Sequence, residues 1–66
     1  MKDSFFFYRA YFEALNSLEN EAEQMELMRC LTEYGFNGII RISGSEKVNR
    51  IFEDLRIRAD RGELPI

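Results

Sequence analysis

Asp3-Ser4-Phe5-Phe6-Phe7-Tyr8-Arg9-Ala10-Tyr11-Phe12-Glu13-Ala14-Leu15-Asn16-Ser17-Leu18 is the stretch on which the fold turns. It holds six of the nine aromatic residues of the chain: Phe5, Phe6, Phe7, Tyr8, Tyr11 and Phe12. At about 100° per residue, Ala10, Ala14, Phe7, Leu18, Tyr11, Leu15, Tyr8, Phe12 and Phe5 fill an apolar arc of roughly 220°. Arg9, Glu13, Asn16 and Ser17 form the polar strip, and Phe6 strays into it. A surface helix that packs on one neighbour needs an apolar stripe only a little over about 100° wide. The surplus predicts a second partner for this helix, found in another copy of the chain. Asp3 or Ser4 can cap its first turn, and the helix is expected to run to about Asn16–Leu18 as the central element of the fold.

The rest of the chain reads as two more helices. Asn20 opens the second, with Glu23 three residues on in a capping-box-like arrangement and Glu21 favouring the positive end of the dipole. Met25, Leu27, Met28, Cys30, Leu31 and Tyr34 supply its apolar side, and Gly35 is the expected stop. Tyr34-Gly35-Phe36-Asn37-Gly38 then reads as a turn. Ile39-Ile40-Arg41-Ile42 is extended by propensity. It is expected to act as a connector that tucks two isoleucines into the core, the alternative being a short strand pair between chains. Ser43 with Glu46 is a capping box for the third helix, with Ser45 as a competing cap. Val48, Ile51, Phe52, Leu55 and Ala59 make one narrow stripe, the pattern of a one-sided lid. Gly62 and Pro65 end this helix. The expectation is a single all-α, three-helix domain over residues 1–62, packed into a homo-oligomeric helical bundle, with residues 63–66 as a loose tail.

Composition narrows the function classes. A chain of 66 residues buries only about 60% of its unfolded surface and is marginal alone. Such chains rely on disulfides, a metal, oligomerisation or very good packing. Cys30 is the one cysteine and there is no histidine, so neither a disulfide within the chain nor a zinc site is expected. Twelve acidic against nine basic residues give a net charge of −3, which runs against general nucleic-acid binding. No apolar run reaches the eighteen or so residues of a membrane span. Asp3, Arg9 and Glu13 interrupt anything resembling a signal peptide, and a lone cysteine fits a reducing interior. A cytoplasmic protein with no membrane contact, no metal and no cofactor is expected.

Several features admit a functional and a plainer structural reading. The aromatic block could stack single-stranded nucleic acid or lie in a membrane interface. Only Arg9 is interleaved with it, however, and its polar strip is not cationic. Core plus oligomer interface is the better reading, with Phe5, Phe7, Tyr8, Tyr11, Phe12 and Leu15 as the interface. Phe12 is expected to serve fold and interface together. Lys47, Arg50, Arg58 and Arg61 lie along one flank of the third helix and are the candidates for phosphate contact. Glu46, Glu53 and Asp60 recur on the other flank. The pairs Glu46–Arg50, Asp54–Arg58 and Arg56–Asp60, like Arg9–Glu13, have the i,i+4 spacing of a solvated face. Cys30 lacks a base and an activating cation, and reads as a small buried hydrophobe. The carboxylates fall on polar faces, with none placed in an apolar pocket that would suit acid–base work. The glycines near residues 35–38 and 44 match no phosphate loop. Phe6 and Ile57 are the candidates for exposed apolar residues that a partner covers. No catalytic residue is expected, and the chain reads as non-enzymatic.

With these elements placed, Lys2-Asp3-Ser4-Phe5-Phe6-Phe7-Tyr8-Arg9 resembles the opening of an uncharacterised three-helix domain family of phages and prophages. Asp3 to Ala14 match its "DSF-F-YRSFYEA"-like start. Glu23-Gln24-Met25-Glu26-Leu27 resemble its acidic helix, Tyr34 to Gly38 its "YxLNG"-like turn, and Ser43-Gly44 through Leu55 its capped last helix. The resemblance covers the chain to about residue 60. It implies an all-helical domain often found at the N-terminus of phage replication-associated proteins, with replication-type proteins as partners. It carries no catalytic or binding residues. Where relatives continue into a Pro-Gln and Asn-rich basic segment, this chain has Arg56-Ile57-Arg58-Ala59-Asp60.

Overall fold

A computed structural model describes residues 2–65 as three helices: α1 (Arg9–Ser17), α2 (Glu21–Asn37) and α3 (Glu46–Asp60). No strand occurs among the described residues. The all-α, three-helix expectation therefore holds, whereas an oligomeric bundle is a matter for the functional reading below.

The centre is α2, not α1. Leu27, Cys30 and Leu31 of α2 meet Val48, Phe52 and Leu55 of α3, and Tyr11 and Leu18 close the core from the α1 side. Leu18, Leu27, Cys30 and Val48 are fully buried. The α3 stripe lies as its spacing predicts, with Val48, Phe52 and Leu55 buried and Ile51 and Ala59 packed at its margin. Leu64, expected in a loose tail, is only 5% exposed and belongs to the core. The positive φ of Gly62 (70°) turns the chain back after α3. Ile66 lies outside the described residues.

Helix α1 starts six residues later than Asp3. Residues 2–8 form an extended arm, and Tyr8, at φ −74° and ψ 150°, stands at the N-cap without a side-chain bond. Two causes combine. Four consecutive aromatic residues are modest helix formers. In addition, the extended arm gains a contact that a helix would forfeit: the Phe5 ring lies on the backbone of Gly35 and edge-on to Phe36, with centroids 4.7 Å apart. The wide apolar arc is thus a property of a wheel that residues 2–8 do not adopt. The far end of α1 is held by a residue the sequence reading passed over. Gln24 donates its amide to the carbonyls of Leu15 (3.1 Å) and Leu18 (2.6 Å), satisfying acceptors that a helix end leaves open.

Asn20 caps α2 as its position predicts, accepting from the N–H groups of Ala22 (2.8 Å) and Glu23 (3.2 Å). Glu23 does not complete a capping box: its carboxylate accepts instead from the Ser45 hydroxyl at 2.7 Å, tying α2 to the start of α3. The helix passes through Gly35 and stops at Gly38, whose left-handed φ of 69° lets its N–H reach the Tyr34 carbonyl at 2.9 Å. Gly35 is a glycine for another reason. A Cβ there would overlap the Phe5 ring.

The cap of α3 is Ser45, accepting from the Val48 N–H at 3.3 Å. Ser43, two residues earlier, is buried. Its N–H donates to Asn49 Oδ1 (2.7 Å) and its carbonyl accepts from Asn49 Nδ2 (2.9 Å). This reciprocal pair fixes the connector from α2. Its isoleucines do not enter the core: Ile39, Ile40 and Ile42 all face solvent, Ile42 being 83% exposed. Ile57, expected to be exposed, is half-buried. Phe12 is 57% exposed and outside the core, so fold and interface do not share it.

Leu27→Ala should therefore cost about 3 kcal/mol, a large share of the stability of so small a domain. Measured well below micromolar concentration, where each chain unfolds on its own, Phe12→Ala should stay within about 0.5 kcal/mol as a surface change. Urea unfolding followed by circular dichroism separates the two.

Candidate interaction surface

The arm brings the aromatic residues together as a chain of ring contacts, edge-on except between Phe6 and Tyr8, whose rings are tilted at 45°. Phe5 meets Phe36 and, at 6.4 Å, Phe7. Phe7 meets Tyr11 at 5.5 Å, Tyr11 meets Tyr8 at 5.2 Å, and Tyr8 meets Phe6 at 6.2 Å. T-shaped pairs of this kind contribute about 0.5–1.5 kcal/mol beyond their burial. The two ends of the chain differ. Phe5 is half-buried and Tyr11 buried, but Phe6 is 64% exposed and Phe7 also faces solvent. An open cleft of about 450 Å³ lies alongside, bounded by Phe5, Tyr8, Tyr11, Tyr34, Gly35 and Asp60 among others.

Further large apolar side chains stand in solvent: Phe12 on α1, Met25 on α2, and Ile39, Ile40 and Ile42 in the connector. A shallow depression between α1 and α2 is lined by Leu15, Met25 and Met28 among others. Of the six residues expected at an interface, then, Phe7 and Phe12 are exposed, while Phe5, Tyr8 and Leu15 are half-buried and Tyr11 sits in the core. The sequence reading missed the isoleucine group by assigning it to the core. Arg41 reaches back to Glu26 at 3.6 Å, and in an extended segment its immediate neighbours Ile40 and Ile42 point the other way.

Two ion pairs beside these surfaces close within the chain. Arg9 pairs with Glu13 at 3.4 Å, beside Phe12 in sequence, and Arg41 with Glu26. Along the basic flank of α3, Arg50 is bound to Glu46 at 2.9 Å and Arg58 to Asp54 at 3.5 Å. Lys47 and Arg61 are exposed on the same helix end regions. Between α2 and α3, Tyr34 donates its hydroxyl proton to Asp60 at 2.7 Å, and Arg56 lies over the Tyr34 ring and within 3.8 Å of the same carboxylate.

The chemistry of individual groups is that of a packed interior. Burial pushes the Cys30 thiol up, and Glu26 nearby adds to the effect. The thiol is fully buried and directed at the Arg41 carbonyl, 3.6 Å away. A protonated, enclosed thiol is a poor nucleophile. The hydrogen bond to Asp60 raises the Tyr34 phenol, with burial adding. No group of three or more His, Cys, Asp or Glu among the described residues could hold a metal ion. Among the described residues, no helix is long and apolar enough to cross a membrane.

Comparison with protein-family models, with curated proteins and with solved structures gives no match for this chain. The functional reading therefore rests on the residues themselves.

Burial, with Tyr8 and Asp60 adding, pushes the Tyr11 phenol from 10.0 up to about 12. The fold favours the neutral phenol. That contribution is complete below pH 10.0 and is lost as the pH rises through about 12. Melting temperature should accordingly fall between those two values, and Tyr11→Phe should flatten the fall. An unchanged alkaline profile in the variant would assign the effect to other groups.

Proposed function

We propose that this chain is a non-catalytic protein-interaction module of phage or prophage origin that associates with copies of itself. The observation that carries the reading is the set of large apolar side chains in solvent: Phe6, Phe7, Phe12, Met25, Ile39, Ile40 and Ile42. Scattered single residues of this kind are ordinary. Here seven occur among the described residues, and three stand within residues 39–42 of the connector. A domain this small gains little from its own core, so covering these groups adds stability out of proportion to their number.

A second copy is the favoured occupant for an electrostatic reason. The ion pairs nearest these residues in sequence, Arg9–Glu13 and Glu26–Arg41, close within the chain. Lys2, Asp3 and Glu21 also stand near these residues and carry both signs, so no strong field of a single sign selects a partner of opposite charge. What remains is apolar complementarity, which two identical surfaces related by a two-fold axis satisfy without further design. A replication-type protein is the further partner that the resemblance of Asp3 to Ala14 suggests. The same internal pairing argues against phosphate binding by Lys47, Arg50, Arg58 and Arg61, since two of the four cations already have carboxylate partners.

Sedimentation at micromolar concentrations should give a dimer or higher species for the native chain. The triple variant Phe6→Ser, Phe7→Ser, Phe12→Ser should sediment as a folded monomer. A native chain that is monomeric and folded across this range overturns the reading. At low salt, random duplex DNA should leave its electrophoretic mobility unchanged when the protein is added; a shift that weakens steeply with salt would favour the basic flank instead.

A further inference from the structure

The arm of residues 2–8 is attached to the rest of the molecule differently from any other segment. Its one backbone hydrogen bond to another element among the described residues runs from the Lys2 N–H to the Phe36 carbonyl, at 2.8 Å. Before the joint at Tyr8, which packs against the core, its seated side chain is Phe5, lying in a socket made by the missing Cβ of Gly35 and the ring of Phe36. Asp3, Ser4, Phe6 and Phe7 are all exposed. The arm joins α1 at Tyr8, a residue with extended backbone and no side-chain cap. No helix has to be broken to swing the arm away from that joint. The socket, by contrast, is rigid, since Gly35 lies inside α2 and well before its left-handed end at Gly38.

We infer that the arm exchanges between two copies of the chain, so that Phe5 of each copy fills the Gly35 socket of the other. The inference rests on the self-association proposed above and names its mechanism. A second copy is the natural occupant because the socket is already shaped for this side chain, and every copy carries both parts. Exchange keeps the Phe5–Gly35 and Lys2–Phe36 contacts and changes only which chain supplies them. It also carries Phe6 and Phe7 across to the neighbouring molecule, where side chains that stand in solvent in the closed form can be covered. The wall of the socket is narrow. A single methyl group at residue 35 collides with the ring, whereas α2 tolerates alanine in its interior better than glycine.

Two variants test this by complementation. Phe5→Ala removes the knob and keeps the socket. Gly35→Ala closes the socket and keeps the knob. Each alone should dimerise at least about tenfold more weakly than the native chain, with its helical circular dichroism retained. Mixed in equal amounts, they should form a heterodimer visible by native mass spectrometry, because the arm of the Gly35→Ala chain can enter the socket of the Phe5→Ala chain. Should Phe5→Ala lose its helical signal, Phe5→Leu takes its place as a smaller knob. Two variants that dimerise as well as the native chain overturn arm exchange and leave self-association standing. Two monomeric variants that yield no heterodimer also overturn it, since the knob then acts within one chain. A native chain that stays monomeric removes both readings.

Discussion

The seam between α2 and α3 is the interaction on which everything else in this molecule depends. Leu27, Cys30 and Leu31 on one side and Val48, Phe52 and Leu55 on the other are buried, and they form most of the core of a domain measuring 27 × 23 × 17 Å. Polar contacts then fix how the two helices meet. Glu23 takes the Ser45 hydroxyl at the opening of α3, and Asp60 takes the Tyr34 hydroxyl near its close. With both ends pinned, the stripe of α3 has one register against α2. The buried Ser43, locked to Asn49, holds the connector so that its own apolar residues are left outside.

Once that seam is set, α1 has to fit what remains. It contributes Tyr11 and Leu18 to the core and depends on α2 for its C-terminal end, where Gln24 supplies the donors that the helix lacks. Its N-terminal end has no such support: there is no acidic residue in the first turn and no side-chain cap. A nine-residue helix is too short to be stable by propensity alone. Tertiary packing holds it, and there is no reserve to extend it backward through four aromatic residues. The arm is the outcome of that shortage combined with the pull of the Gly35 socket.

The sequence made some of this plain and hid the rest, for reasons that differ by residue. The α3 stripe, the Asn20 cap and the i,i+4 ion pairs are local facts of spacing, and they appear where spacing puts them. Gly35 was legible as an exception but not as to its cause. A glycine after a helical run signals a stop, and only the approach of Phe5 from thirty residues earlier shows that it marks a close contact. Ile39, Ile40 and Ile42 misled because hydrophobicity was taken as burial, which is a one-way rule. Leu64 misled in the opposite direction, since a chain end with Gly and Pro nearby looks loose until the core is seen to need one more side chain. At the interaction surface, Phe7 and Phe12 were legible as surplus apolar residues. Tyr11 could not be distinguished from them without knowing where the helix starts.

The six-residue displacement of that helix start has a consequence for how the aromatic residues divide. On a continuous helix, Phe5, Tyr8 and Phe12 would share one face and meet the same neighbour, since they are spaced at i, i+3 and i+7. With the arm extended, side chains alternate instead: Phe5 turns into the socket, Phe6 away from it, and Phe12 is placed by a separate element altogether. One wide surface becomes two narrow ones, joined at Tyr8. A single broad face would demand a bundle partner laid along its whole length. Two narrow surfaces on either side of a joint can be covered in sequence, first the arm and then the helix, which favours an exchange of segments over the side-by-side packing of preformed helices.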